Sequence, residues 1–113
     1  MASLFSVCYV TAPSMKVAED IAGKLVTSKA AACVNIIPGV KSVYTWQGKV
    51  EKDEELLLMI KTQTHIVPRV IAEVRQVHPY DTPEVISVPM GLGSLPYLDW
   101  VEAVDGDTDA KAA

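Results

Sequence analysis

The sequence predicts an α+β domain of order β-α-β-β-α-β with one further helix at its end, and three observations lead there. Short runs rich in β-branched and aromatic residues alternate with stretches whose apolar residues recur every three or four positions. Gln47-Gly48 joins two of the extended runs directly, as a tight turn does in a hairpin. The 113 residues, half hydrophobic and 21% charged, suit a single globular domain. A chain of this length hides roughly 65–70% of its unfolded surface, so its core needs neither a disulfide nor a metal. Such an order is the split βαβ pattern, a ferredoxin-like sandwich with helices on one face of an antiparallel sheet.

Taken in order, Leu4 to Thr11 reads as the first strand, ending at Pro13. Ser14 is placed to cap a helix whose stripe is Val17, Ile21 and Leu25, widened by Ala18, Ala22 and Val26, and which should end near Ser28. Ala31 to Ile37 is extended, and Val40 to Trp46 continues it across Pro38-Gly39, a bulge signal rather than a strand end. In that second half Val43 and Thr45 face away from Ser42, Tyr44 and Trp46. The return strand opens on Glu51-Lys52-Asp53-Glu54-Glu55 and runs into Leu56 to Ile60, wet at one end and buried at the other. Ile66, Val70, Val74 and Val77 give a second amphipathic helix, with Pro68 disturbing its first turn. Glu84 to Pro89 is the last strand, and Ser94-Leu95-Pro96 opens a short helix bearing Tyr97, Leu98, Val101 and Val104. Residues 1–104 are thus one domain, and from Asp105 to residue 113 a small, polar tail is expected to be disordered.

Charge narrows the function. Ten basic against fourteen acidic residues give −4, the wrong sign for a phosphate backbone or an anionic membrane surface. Neither nucleic acid nor membrane is an expected partner. The longest strictly apolar runs, Ala30–Val34 and Leu56–Ile60, are far shorter than the ~20 residues of a spanning helix. Cys8 and Cys33 stand apart without a CxxC pairing and read as reduced thiols. No basic start followed by a long apolar stretch is visible, so a cytoplasmic location is expected unless a longer precursor carried a targeting segment. Helices on one sheet face leave the other bare, and the long hairpin protrudes, so self-association is expected.

Six stretches in one order resemble the CutA divalent-cation tolerance family. They are Thr11-Ala12-Pro13, Ala31 to Asn35, Tyr44 to Lys49, Ile60-Lys61-Thr62, His78 to Glu84 and Pro96 to Trp100, and the resemblance covers about residues 4 to 104. It implies a ferredoxin-like homotrimer similar to the nitrogen-regulatory PII proteins, thermal stability, and a link to copper or other divalent cations. It implies no catalytic activity. Vertebrate relatives are associated with anchoring of acetylcholinesterase, and a structural or anchoring trimer serving a protein partner is the alternative reading.

The candidate chemistry follows from few residues. No Cys₂His₂-type spacing or HxxxH occurs, so a closed intrachain zinc site is not expected. Some bacterial members of the family are thought to hold copper with a Cys before Thr-Ala-Pro and a His pair before Pro. Here those positions are Val10, Val77 and His78, leaving His78 as the metal candidate and Cys8, on the same strand face as Val10, as an imperfect substitute. The competing role of His78 is a helix-end or pocket hydrogen bond, and the cysteines otherwise read as small buried hydrophobes. Glu51 to Glu55 reads as a solvated strand face with oxygen ligands for hard cations. Lys61 leaves an apolar strand and needs a partner, for which Glu84 is the candidate. The resemblance further implies that the motif positions Trp46, Lys61, His78, Tyr80 and Glu84 gather at a subunit cleft of the family's trimer, where they are expected either to form a small-molecule pocket or to hold the interface together. GxSxG, P-loop and HExxH motifs are absent, so no enzyme is expected.

Overall fold

A computed structural model describes residues 3–105. Four strands, β1 (Phe5–Ala12), β2 (Cys33–Trp46), β3 (Lys49–Gln63) and β4 (Val85–Pro89), alternate with the helices α1 (Met15–Thr27), α2 (Val67–Val77) and α3 (Leu95–Val104). The sheet order is β2-β3-β1-β4, every neighbouring pair antiparallel. This is the ferredoxin-like arrangement that the element order predicts.

Ser14 caps α1 by accepting a hydrogen bond from the Val17 amide at 3.2 Å, and the helix ends at Thr27 with Ser28 as its C-cap. Pro68 is tolerated in α2 because it sits within the first turn, where its missing N–H costs nothing. A short 3₁₀ turn, Thr64–Ile66, precedes it. Ala18, Ile21 and Leu25 of α1 and Val70 and Val74 of α2 bury themselves against Cys8, Val10, Leu58 and Ile60 of the sheet. Polar contacts tie the two helices at their rim: Lys24 to Gln76 at 2.9 Å and Ser28 to Glu73 at 2.6 Å.

Strand pairing fixes which residues share the opposite face. Val7, Tyr9 and Thr11 lie beside Lys61, Met59 and Leu57, and Val7 and Tyr9 beside Val88 and Ile86. Ile37 pairs with Leu57 but Val40 with Glu55, so one extra residue is inserted in β2 at Pro38-Gly39, where Gly39 takes φ +82°. The insertion changes phase. Odd-numbered residues of β2 share the face of Leu57 and Met59 before it, and even-numbered residues after it. Ser42, Tyr44 and Trp46 therefore join Asp53 and Glu55 on the side away from α1 and α2.

The last described residue departs from the sequence reading. Asp105, expected to open a disordered tail, is fully buried. Its carboxylate accepts hydrogen bonds from the Gln63 amide at 3.0 Å and Gln63 Nε2 at 2.6 Å, and lies 2.9 Å from Thr62 Oγ1. A buried acid with two N–H donors and a hydroxyl in reach is a satisfied one, and it clamps the end of α3 to β3. The rest of the expected tail lies outside the described residues. Strand β4 begins at Val85 rather than Glu84, and Ser94 precedes α3 without a side-chain cap bond.

Candidate functional site

Where the distal half of the β2–β3 hairpin meets the segment between α2 and β4, a cleft of about 690 Å³ opens. The strands contribute Thr11, Ser42, Tyr44, Trp46, Asp53 and Glu55, and the segment contributes Tyr80, Asp81, Thr82 and Glu84. Its walls thus hold three aromatic rings and four carboxylates, and among the described residues no basic side chain lines it.

Phenols orient the strand carboxylates. Tyr44 Oη donates to Asp53 Oδ2, and Tyr80 Oη donates to Glu55 Oε2 at 3.3 Å. The hydrogen bond to Asp53, followed by burial and the neighbouring carboxylate charges, pushes the Tyr44 phenol up to about 12. Burial first and the Glu55 charge second raise the Tyr80 phenol above its ordinary value. Both hydroxyls thus stay protonated donors through the neutral range. Glu55 is only 7% exposed, whereas Trp46 at the hairpin end is 61% exposed. Among the described residues Glu55 forms no ion pair and accepts one hydrogen bond, that from Tyr80.

His78 stands behind this wall. It is 7% exposed and follows α2 as its C-cap. The Tyr80 amide donates to its Nδ1 at 3.2 Å, so Nε2 carries the proton and donates to the Thr11 carbonyl at 2.8 Å. Its ring also packs against Tyr80, with centroids 4.7 Å apart. The imidazole thereby fixes the Tyr80 segment to the end of β1, and both of its nitrogens are spent in doing so.

Of the five residues expected to gather, the structure brings Trp46, Tyr80 and Glu84 into one cleft and sets His78 directly behind it. Lys61 is a correction. It pairs in register with Val7 and Cys33, whereas the cleft lies beyond Thr11, the partner of Leu57. Four residues of strand are about 13 Å. Its ammonium donates to Asn35 Oδ1, not to Glu84. Glu55 corrects the reading of Glu51 to Glu55 as a solvated face, because the covering Tyr80 segment shields it. The available signal was phase: Glu55 alternates with Leu57 and Met59 on the face that the segment crosses.

The residues do not fit a soft copper centre. Cys8 shares a face with Val10, as alternation predicts, but that face is the core, where the thiol is fully buried. Burial pushes its pKa up to about 11, against the thiolate that a metal requires. Val10 and Val77 carry no donor, and His78 has none free. Among the described residues no three His, Cys, Asp or Glu side chains converge to hold a metal ion.

The family model described as CutA1 divalent ion tolerance protein matches residues 6–104. The chain is 50% identical over 99 residues to Protein CutA of Homo sapiens, which covers 88% of this chain and 55% of the human protein. It therefore spans about half the length of that relative. It is 47% identical over 100 residues to the Divalent-cation tolerance protein CutA of Thermus thermophilus, covering 88% of this chain and 97% of that one. The crystal structure of CutA1 from Oryza sativa superposes with a TM-score of 0.90 at 42% identity, covering 94% of this chain and 97% of that chain.

Proposed function

Because the chain belongs to the CutA1 divalent ion tolerance family, we propose that it serves cation tolerance as a non-enzymatic homotrimer, PII-like in build, that binds cations in the acidic cleft beside its hairpin. The observation that carries this reading is Glu55, more than nine-tenths buried in a cleft of four carboxylates with no cation opposite it among the described residues. A carboxylate removed from water without a counter-charge is costly, and a cation entering the cleft relieves that cost. Because no three ligand side chains converge among the described residues, a divalent ion drawn into the cleft keeps most of its own water and is held by charge alone, hence weakly and without selection for copper. Self-association is supported by the bare face: Ile37, Ile86 and Val88 remain exposed on the side away from α1 and α2, and β2 and β4 each offer an unpaired edge.

Native mass spectrometry of the metal-stripped protein, alone and with Cu(II), Zn(II) or reduced Cu(I), tests this. The expected species is a trimer of three 12.2 kDa chains. Divalent adducts should diminish in Glu55→Gln and persist in His78→Ala. A monomer would remove the assembly from the reading. Copper that survives a competing chelator and disappears in Cys8→Ala or His78→Ala would replace the cleft with a soft-ligand site.

The anchoring alternative has one observation in its favour. Val43, Trp46 and Val50 expose apolar surface at the hairpin tip, suited to a protein partner. A trimer that binds no cation in the same experiment favours it.

A further inference from the structure

The cleft's wall chemistry says more about the ligand than its charge. A point charge needs donors that converge on it. The four carboxylates here do not converge, since no three acidic, imidazole or thiol groups among the described residues meet in metal-binding geometry. Asp53 and Glu55 are two residues apart on one strand face, roughly 7 Å, while Asp81 and Glu84 stand on the facing segment. The volume, about 690 Å³, is that of a small-molecule cleft rather than a hydrated ion's niche.

Aromatic rings fill the gaps between these charges. Tyr44, Trp46 and Tyr80 line the same space, and ring faces attract ammonium groups and accept methylene chains. Inorganic cations make little use of such walls. Glu55 supplies an independent pointer to an occupant. Asp105, more deeply buried still, has two N–H donors from Gln63 and the Thr62 hydroxyl within reach of its carboxylate. Glu55 has one, the Tyr80 hydroxyl at 3.3 Å. An ionised carboxylate has about four acceptor positions, so Glu55 keeps capacity for a donor arriving from the cleft. An ammonium group offers three N–H donors together with the missing charge.

We propose that the cleft takes a linear aliphatic polyammonium ion, a diamine or polyamine, with its charged nitrogens on Asp53, Glu55 and the Asp81–Glu84 segment and its methylene chain along Tyr44, Trp46 and Tyr80. This deepens the cation-binding reading above and rests on it. The spacing of charge along such a chain matches carboxylates that are spread out, and its apolar links match the rings between them. The net charge of −4 on each chain draws the ligand in from a distance.

Isothermal titration calorimetry with spermidine, at 150 mM salt on the full chain, tests the proposal, with Zn(II) and tetramethylammonium titrated in parallel. Saturable spermidine binding is expected, at least tenfold weaker in Glu55→Gln and in Trp46→Leu, and tighter than tetramethylammonium, which has a single charge. Glu84→Gln is the second charge variant should Glu55→Gln fail to fold by circular dichroism, and it should weaken spermidine several-fold. Zinc bound through the cleft with no response to spermidine overturns this inference and leaves the broader reading standing. Spermidine binding that ignores Trp46→Leu and falls only with ionic strength is diffuse charge attraction and also overturns it. Absence of both ligands removes both readings.

Discussion

His78 and Cys8 are the two side chains whose type suggests a metal and whose surroundings give them other work. The imidazole donates to Thr11 O and accepts from the Tyr80 amide, so it builds the cleft's back wall instead of entering it. Cys8 is a core residue whose thiol is pushed up to about 11 by burial. A thiol's ordinary value is 9.0, so above pH 9 the unfolded chain releases this proton while the folded chain retains it. Stability is therefore complete below pH 9 and declines as pH climbs from there towards 11. Urea titrations at pH 7.5, 9 and 10 should show this decline, and Cys8→Val should flatten the component that Cys8 supplies. An identical decline in Cys8→Val would mean that other groups account for it. At this scale the sequence was partly legible. The family resemblance, rather than residue type or spacing, is what identifies Trp46, Tyr80 and Glu84 as companions. Lys61 went astray because a strand carries a residue about 3.3 Å per position, and motif order says nothing of that distance. Glu55 stayed hidden because acidic runs are ordinarily wet, and only the path of a distant segment decides otherwise.

Helix α3 depends on one residue that lies just past its end. Asp105 receives Gln63's amide and side chain and meets Thr62 Oγ1, which also lies 2.7 Å from the Ala30 carbonyl. Removing the carboxylate strands buried donors of β3, at about 1–3 kcal/mol for each group left unsatisfied. Asp105→Ala should therefore lower thermal stability by about 3 kcal/mol in total, read by calorimetry, and speed amide hydrogen exchange in α3 ahead of α1. Uniform exchange across both helices would refute the clamp. The elements themselves were largely legible: strand and helix order, the Ser14 cap and the bulge at Pro38-Gly39 all follow from local chemistry. Asp105 was not, because one of three closely spaced aspartates in a small, polar stretch carries no local sign of a long-range partner.

The described residues measure 50 × 27 × 22 Å, with a radius of gyration of 14.9 Å, where a compact domain of this length has about 13 Å. The excess is the hairpin, whose distal half finds little of its own chain to pack on. Ile86 is 53% exposed on the face away from α1 and α2. A lysine there costs an isolated chain little but would place a charge within the proposed apolar contact between copies. If that contact builds the proposed trimer, Ile86→Lys should give a monomer in native mass spectrometry with an unchanged circular dichroism spectrum. A trimer that persists would show that this face is not the contact. The fold class was the most legible feature of all, since an alternation of two hydrophobic periods admits few topologies.

The single inserted residue at Pro38-Gly39 also sets a rule for how this arm can change length. Beyond it the two strands run without further interruption to Gln47-Gly48. Lengthening the arm by one residue per strand below Tyr44 would turn Tyr44 and Trp46 to the other side and empty the cleft of both rings. Two residues per strand would restore their side while carrying them about 7 Å further out. Growth of the arm is thus quantised: viable descendants of this sequence differ there by even steps, or they recover the phase by gaining or losing a bulge.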